Sequence, residues 1–337
     1  MRALRLSALA TVLAFAAIAM PRRASAFCRT TTDRDFTPTA EAPCDTRGTP
    51  LVWPTSCTQI WVNDRPSAQF GVERLEAVVR DAFATWSSVT CPVDPVTCSG
   101  AEIGRPSLEV TVGGRTTCGA QYLAGRDNAN VAVAYDRDWP HPDADTTLAL
   151  TTVSYRTSTG EILDADLEIN ADPSRFRIAT GDPRPDEYDL VSIVVHEAGH
   201  FLGLAHTQPS NADATMVATY EPGTTSMRDL AADDVCGICA AAPPDREVGC
   251  VPTDPGACGT RRDPGAETGI ADATAVEDAV PSEPEPSVGA EPELAYVDER
   301  GRSCAISAVG AAASGIALVF LPLLPLLAAA RRRRRRR

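Results

Sequence analysis

The stretch His196-Glu-Ala-Gly-His-Phe-Leu-Gly-Leu-Ala-His206 holds three of the chain's four histidines within eleven positions. The ten residues before it, Asp186-Glu-Tyr-Asp-Leu-Val-Ser-Ile-Val-Val, carry apolar side chains at 190, 191, 194 and 195, with Asp186 available as an N-cap, so the pattern predicts a helix over 187–202. On that helix His196 and His200 lie one turn apart on one face, as two ligands of a single ion must. Gly203 suits the left-handed residue that ends a helix, and the bend it allows can return His206 to the same point. Three neutral imidazoles with a vacant fourth position are the ligand set of a catalytic zinc, whereas a structural site closes with a fourth protein ligand. Glu197, adjacent to the first ligand, is placed to take a proton from water held in that vacancy.

Outward from this stretch, residues 44–243 have the composition of one folded domain, large enough for a sizeable core. Residues 51–53 and 59–63 read as an opening strand pair, and 71–88, with Val72, Leu75, Val78, Val79, Phe83 and Trp86 at helical spacing, as an amphipathic helix whose stripe is core. Residues 108–112 and 131–135 alternate as strands do, and the order strand, helix, strand, strand points to a mixed sheet of the α/β or α+β kind. In 161–170 the alternation is sharper, with Leu163, Ala165, Leu167 and Ile169 on one face and Asp164, Asp166, Glu168 and Asn170 on the other. So many acids suggest a sheet edge with one face in water, and a calcium ion at Asp164 or Asp166 is compatible with them.

Both ends lie outside that domain. Residues 1–26 open with Arg2 and Arg5, continue through an apolar run and finish Ala24-Ser25-Ala26, the pattern of a secretory signal peptide. Residues 27–43 form an N-terminal extension, and 244–303, rich in Pro, Asp and Glu, read as an extended stalk unable to bury a core. From Cys304 to Ala330 no side chain is charged and Arg331–Arg337 follow, which predicts a membrane-spanning helix with its stop signal over 304–337. Eleven cysteines fit an oxidising compartment, and setting Cys304 aside leaves ten, enough for about five disulfides. Cys44 is expected to pair with a partner such as Cys57, and Cys250 and Cys258 could close one small loop. Between residues 27 and 330 there are 20 arginines, no lysine and 45 acids, a balance of −25, which argues against a nucleic-acid partner. Nothing in the sequence gives an oligomeric state.

The motif HExxHxxGxxH resembles the zinc signature of the metzincins, and Met216, ten residues after His206, resembles their methionine turn, an apolar floor beneath the metal. Thr207 after the third histidine, the segment 230–238 and Phe83-Ala-Thr-Trp86 are similar to the matrixin branch and its bacterial relatives. The resemblance implies a twisted, mixed five-stranded sheet with an antiparallel edge strand, an active-site helix, and a small C-terminal subdomain with a helix. It further implies one catalytic zinc, substrate peptide lying extended along Leu163, Ala165 and Leu167, and Tyr220 in the pocket wall. Cysteine, apolar run and arginine cluster at the C-terminus resemble the MYXO-CTERM type of bacterial sorting tag, which would tie the protein to the cell envelope. Three departures stand out: there is no PRCGxPD cysteine switch, His141 alone cannot assemble a second zinc site, and no tyrosine lies two residues after Met216. The expected activity is zinc-dependent cleavage of peptide bonds in proteins, with Glu197 as general base. The rival expectation is a surface binding or adhesion module that keeps the metal for stability.

Overall fold

The computed structural model describes residues 27–246 except 34, 37, 40, 41, 43, 125 and 208–210, together with Cys258 and the backbone of Leu294–Ala295 and Cys304–Ala308. The expected signal peptide, and nearly all of the stalk and C-terminal tag, lie outside the described residues. Among the described residues no helix is long and apolar enough to cross a membrane. Cys304–Ala308, where the spanning helix was expected to begin, is extended strand instead.

Five strands form the central sheet: β1 (Cys57–Asn63), β2 (Glu109–Thr116), β3 (Val131–Tyr135), β4 (Thr147–Arg156) and β5 (Ile162–Asn170). Their spatial order is β2-β1-β3-β5-β4. The first four run parallel and β4 is antiparallel to β5, which gives the mixed sheet with an antiparallel outer strand that the sequence led us to expect. Among the described residues three helices accompany it: α1 (Val72–Ser87), α2 (Leu190–Phe201) and α3 (Ala232–Ala241). The stripe of α1 is core, as its spacing predicts, with Leu75, Val78, Val79, Ala82, Phe83 and Trp86 all buried. Helix α1 packs on β1, β2 and α2, while α2 packs on β4 and β5, so the motif-bearing helix is clamped between a helix and the sheet. Nearly every residue of α2 is buried, and each large apolar side chain sealed there contributes about 1.5–3 kcal/mol.

Three sequence expectations are corrected here. Strand β5 is not an edge: it lies between β4 and β3, and Asp164, Asp166, Glu168 and Asn170 are all buried. Its polar face is packed against protein rather than water, because alternation reports which side is polar and not what covers it. Residues 51–53 form no strand pair, only isolated bridges from Val52 to Glu161 and, next to it, from Pro50 to Thr31. The cysteines pair as Cys28–Cys44, Cys91–Cys239, Cys98–Cys236 and Cys118–Cys258, so neither Cys44–Cys57 nor Cys250–Cys258 forms; Cys57 is itself disulfide-bonded. Both cysteines of the CGIC sequence in α3 are thereby structural, stapling that helix to the hairpin formed by Cys91–Asp94 and Ser99–Gly104.

Candidate active site

Helix α2 begins three residues later than its sequence suggests, because Asp189 rather than Asp186 caps it: its carboxylate accepts the Ser192 N–H at 2.8 Å. Two further charge-assisted bonds, both 2.8 Å, come from Arg228 Nε and Nη2, so the buried cap is also one half of a bidentate ion pair. Near its other end, the Trp86 indole N–H donates to Val195 O at 2.8 Å and that of Trp53 to Phe201 O at 2.9 Å. The helix is thus fixed along its axis by side chains from α1 and from the segment before β1. It stops at Gly203, which has φ +87, and a Cβ there would sit 2.6 Å from Leu51 O.

The bend that follows is held by the N-terminal residues. Thr30 N and Arg29 Nε both donate to Gly203 O, at 3.0 and 3.1 Å, and Thr30 Oγ1 donates to Leu204 O at 2.9 Å. Cys28–Arg29 pairs antiparallel with Leu204–Ala205. The stretch 27–43 therefore begins as part of the domain. Burial lowers Arg29 to about 10, yet its guanidinium still reaches both Gly203 O and Leu51 O, the latter at 2.6 Å.

Helix and bend together bring His196, His200 and His206 to one point. Their Nε2 atoms are 3.1, 3.1 and 3.3 Å apart. Three nitrogens at 2.0–2.1 Å from one tetrahedral zinc are separated by about 3.3 Å, so the spacing fits that ion without rearrangement. The Nδ1–H of His196 donates to Thr215 O at 2.6 Å and that of His200 to Leu204 O at 2.8 Å, which fixes the tautomers and leaves both Nε2 lone pairs for a metal. Burial lowers His196 to about 4 and His206 to about 3, and puts His200 well below its usual range, so all three rings are held neutral. Among the described residues this is the one group of three or more His, Cys, Asp or Glu side chains close enough to share an ion. Among the same described residues no such group includes Asp164 or Asp166.

Glu197 is fully buried one residue along α2. Thr151 Oγ1 on β4 lies 2.7 Å from its Oε2 and 3.0 Å from its main-chain O, so one hydroxyl ties the carboxylate and the helix backbone to the outer strand. Met216 lies beneath the same helix: a Cβ at Gly199 would run into Met216 Sδ and come 2.8 Å from Trp86 Cζ2. The segment that carries Met216 is held from α3, where Asp234 accepts from Thr215 N at 2.7 Å, Met216 N at 3.1 Å and Ala231 N at 2.9 Å. Thr207 closes the loop, its N–H on Met216 O at 2.8 Å and its hydroxyl on Asp233 at 2.7 Å. Tyr220 is buried, its hydroxyl donating to Thr224 O and its ring 5.8 Å from that of Tyr188. The expected peptide-contacting trio does not meet this site from an edge: Ala165 and Leu167 are sealed in the core and Leu163 is half-buried within an interior strand. The outer strand that reaches this site is β4, through the contact of Thr151 with Glu197.

Sequence reasoning missed Thr151, Arg228, Arg29 and the role of Asp234. Only Asp234 had a signal, as part of the 230–238 segment; the other three sit in stretches with no motif of their own.

A five-stranded mixed sheet with an antiparallel outer strand, and a helix-plus-bend that converges three imidazoles beside a glutamate, define the metzincin class of metal-dependent hydrolase folds. The chain belongs to the matrixin family, whose pattern it matches over residues 54–241. It is also similar to Metalloendoproteinase 1 of Glycine max, 39% identical over 71 residues, which is 20% of this chain and 22% of that protein. The chain thus matches only about a fifth of the length of that curated relative.

Proposed function

We propose that this protein is an exported bacterial zinc endopeptidase, tethered to the cell envelope by its C-terminal segment, with His196, His200 and His206 as ligands and Glu197 as general base. The observation that carries the reading is the convergence of three neutral Nε2 atoms, 3.1 to 3.3 Å apart, with the buried Glu197 next to the first of these histidines on the same helix. Zinc at that point would lower the pKa of a water from 15.7 toward about 7 and polarise a carbonyl. Glu197 would accept the proton of the attacking water and hand it to the departing amine, as the donor–acceptor geometry of a peptide hydrolase requires. Thr151 holds the Glu197 carboxylate in place while it does so. The peptide would lie extended along β4, the outer strand of the five, with Tyr220 in the wall of the pocket beyond Met216. Export is supported by the signal-like 1–26 segment and by the disulfides, and tethering by the apolar run and arginine cluster at the C-terminus.

The purified chain is expected to carry about one zinc and to cut an unstructured protein, while Glu197→Ala retains the metal and loses cleavage. Zinc-loaded wild type that cuts nothing in a broad peptide library would leave the binding-module reading in its place. That reading predicts unaltered ligand binding by Glu197→Ala and loss of structure on chelation.

A further inference from the structure

We infer that the chain carries its own ligand for the candidate cleft: the segment Cys304–Ala308 occupies the place of a substrate strand and blocks it. Its backbone pairs antiparallel with β4, Cys304 opposite Thr151, Ala305 opposite Leu150, Ile306 opposite Ala149 and Ser307 opposite Thr147. On its other side it pairs parallel with Thr219–Tyr220, the segment just after Met216, Ser307 opposite Thr219 and Ala308 opposite Tyr220. The strand therefore lies between β4 and the segment that follows Met216. Cys304 is level with the residue that holds Glu197, and Ala308 with the tyrosine assigned to the pocket wall. A strand added to a sheet edge draws affinity from main-chain hydrogen bonds, which suits a ligand read by its backbone.

A second contact on the same strand supports this placement. Leu294–Ala295 pairs antiparallel with Arg156 and Tyr155 of β4, upstream of the Cys304 contact and in the same direction. The segment 294–308 thus meets β4 twice along its length. The tether also favours occupancy. Cys258 is bonded to Cys118 beside β3, which leaves 45 residues between that anchor and Cys304. A covalent connection of this length presents its end at an effective concentration on the order of 1 mM, so even a strand with a Kd of about 0.1 mM would occupy the cleft roughly nine-tenths of the time. Export and anchoring play no part in this inference, but its consequence for turnover rests on the endopeptidase reading.

The test uses the full chain and two readouts. In zinc-loaded Glu197→Ala protein, which cannot consume its own tail, amide hydrogen exchange at Thr147–Thr151 is compared with that of the same protein bearing Ala305→Pro and Ile306→Pro. Neighbouring strand N–H groups point to opposite sides, so the proline pair removes a bond on whichever side faces β4. The inference expects exchange at 147–151 to accelerate about tenfold while the amides of α2 keep their protection, and a synthetic peptide of residues 302–309 to restore the slow rate. Equal exchange in the two proteins overturns it. In catalytically intact protein the proline pair should lower the apparent KM for a fluorogenic peptide about tenfold and leave kcat unchanged. A wild-type chain that cuts itself between 304 and 308 would make the segment a substrate rather than a resident blocker, and would also overturn the inference. Protection that falls as expected in a protein that cuts no peptide sinks the endopeptidase reading alone.

Discussion

Replacing Gly199 by alanine sets two opposing effects against each other at the centre of the site. Alanine is the better helix former by about 1 kcal/mol, and Gly199 lies in the interior of α2, so propensity alone predicts a more stable protein. The added Cβ, however, would run into Met216 Sδ and stand 2.8 Å from Trp86 Cζ2. Neither neighbour can yield freely: both side chains are buried, and the Trp86 indole is tied to Val195 O at 2.8 Å. Overfilling a packed core costs about 1–3 kcal/mol, so at the upper end of that range the net effect is a loss of about 2 kcal/mol. Displacing Met216 also shifts Thr215 O, the acceptor that orients His196, and loss of such an outer contact weakens metal affinity about 10- to 100-fold. Urea unfolding with chelator present measures the first effect and competition with a zinc indicator the second. Met216→Ala should relieve most of the clash, so the double variant should be more stable than the two single losses added together. A Gly199→Ala protein that is more stable than wild type, with unchanged zinc affinity, refutes the close packing of methionine turn against helix.

Arg228→Ala leaves the buried Asp189 cap without its bidentate partner and should cost about 3 kcal/mol, read as a lower urea midpoint with α2 amides exchanging first. Thr151→Val keeps the volume but removes the hydroxyl from Glu197, and loss of a bond to a charged group, worth about 1.5–3 kcal/mol, should lower kcat about 10- to 100-fold with KM little changed. Burial raises Asp164 to about 8 and, with repulsion from Asp164 added, raises Asp166 as well. A carboxyl whose folded pKa lies above its unfolded value contributes stability that is complete below about pH 4 and lost as pH rises through the folded value. Wild type should therefore lose stability relative to Asp164→Asn between pH 4 and 8, and parallel curves for the two proteins would refute the assignment.

The zinc motif was legible because its chemistry demands fixed spacing: a turn of helix, a glycine bend and a third imidazole cannot be arranged otherwise. Helix α1 was legible for the related reason that its stripe buries one face only. Strand β4 was not, since Thr147–Arg156 is buried along almost its whole length and so shows no clean alternation. The start of α2 was misplaced by three residues because the choice between Asp186 and Asp189 is made by Arg228, 39 residues downstream of the cap and silent in the local pattern. Disulfide pairing failed for the same kind of reason: Cys91–Cys239 and Cys98–Cys236 join residues 148 and 138 apart, and local spacing carries no signal for such distant partners.

The buried acids of β5 connect these failures to the site. Asp166 Oδ1 accepts from Val131 N at 2.8 Å, Glu168 Oε1 accepts from Thr152 Oγ1 at 3.1 Å and lies 2.9 Å from His141 Nε2, and Asn170 Nδ2 donates to Thr147 O at 2.9 Å. Two of these partners, Thr152 and Thr147, belong to β4 and flank Thr151. The polar face that reads as solvent-exposed in sequence is therefore a set of cross-strand ties that fixes the register of the outer strand. A one-residue slip of β4 would turn Thr151 to the opposite face, away from Glu197. The order of dependence runs from buried carboxyls through strand register to the group that holds the candidate base, so substitutions on β5 should disturb the site without touching it.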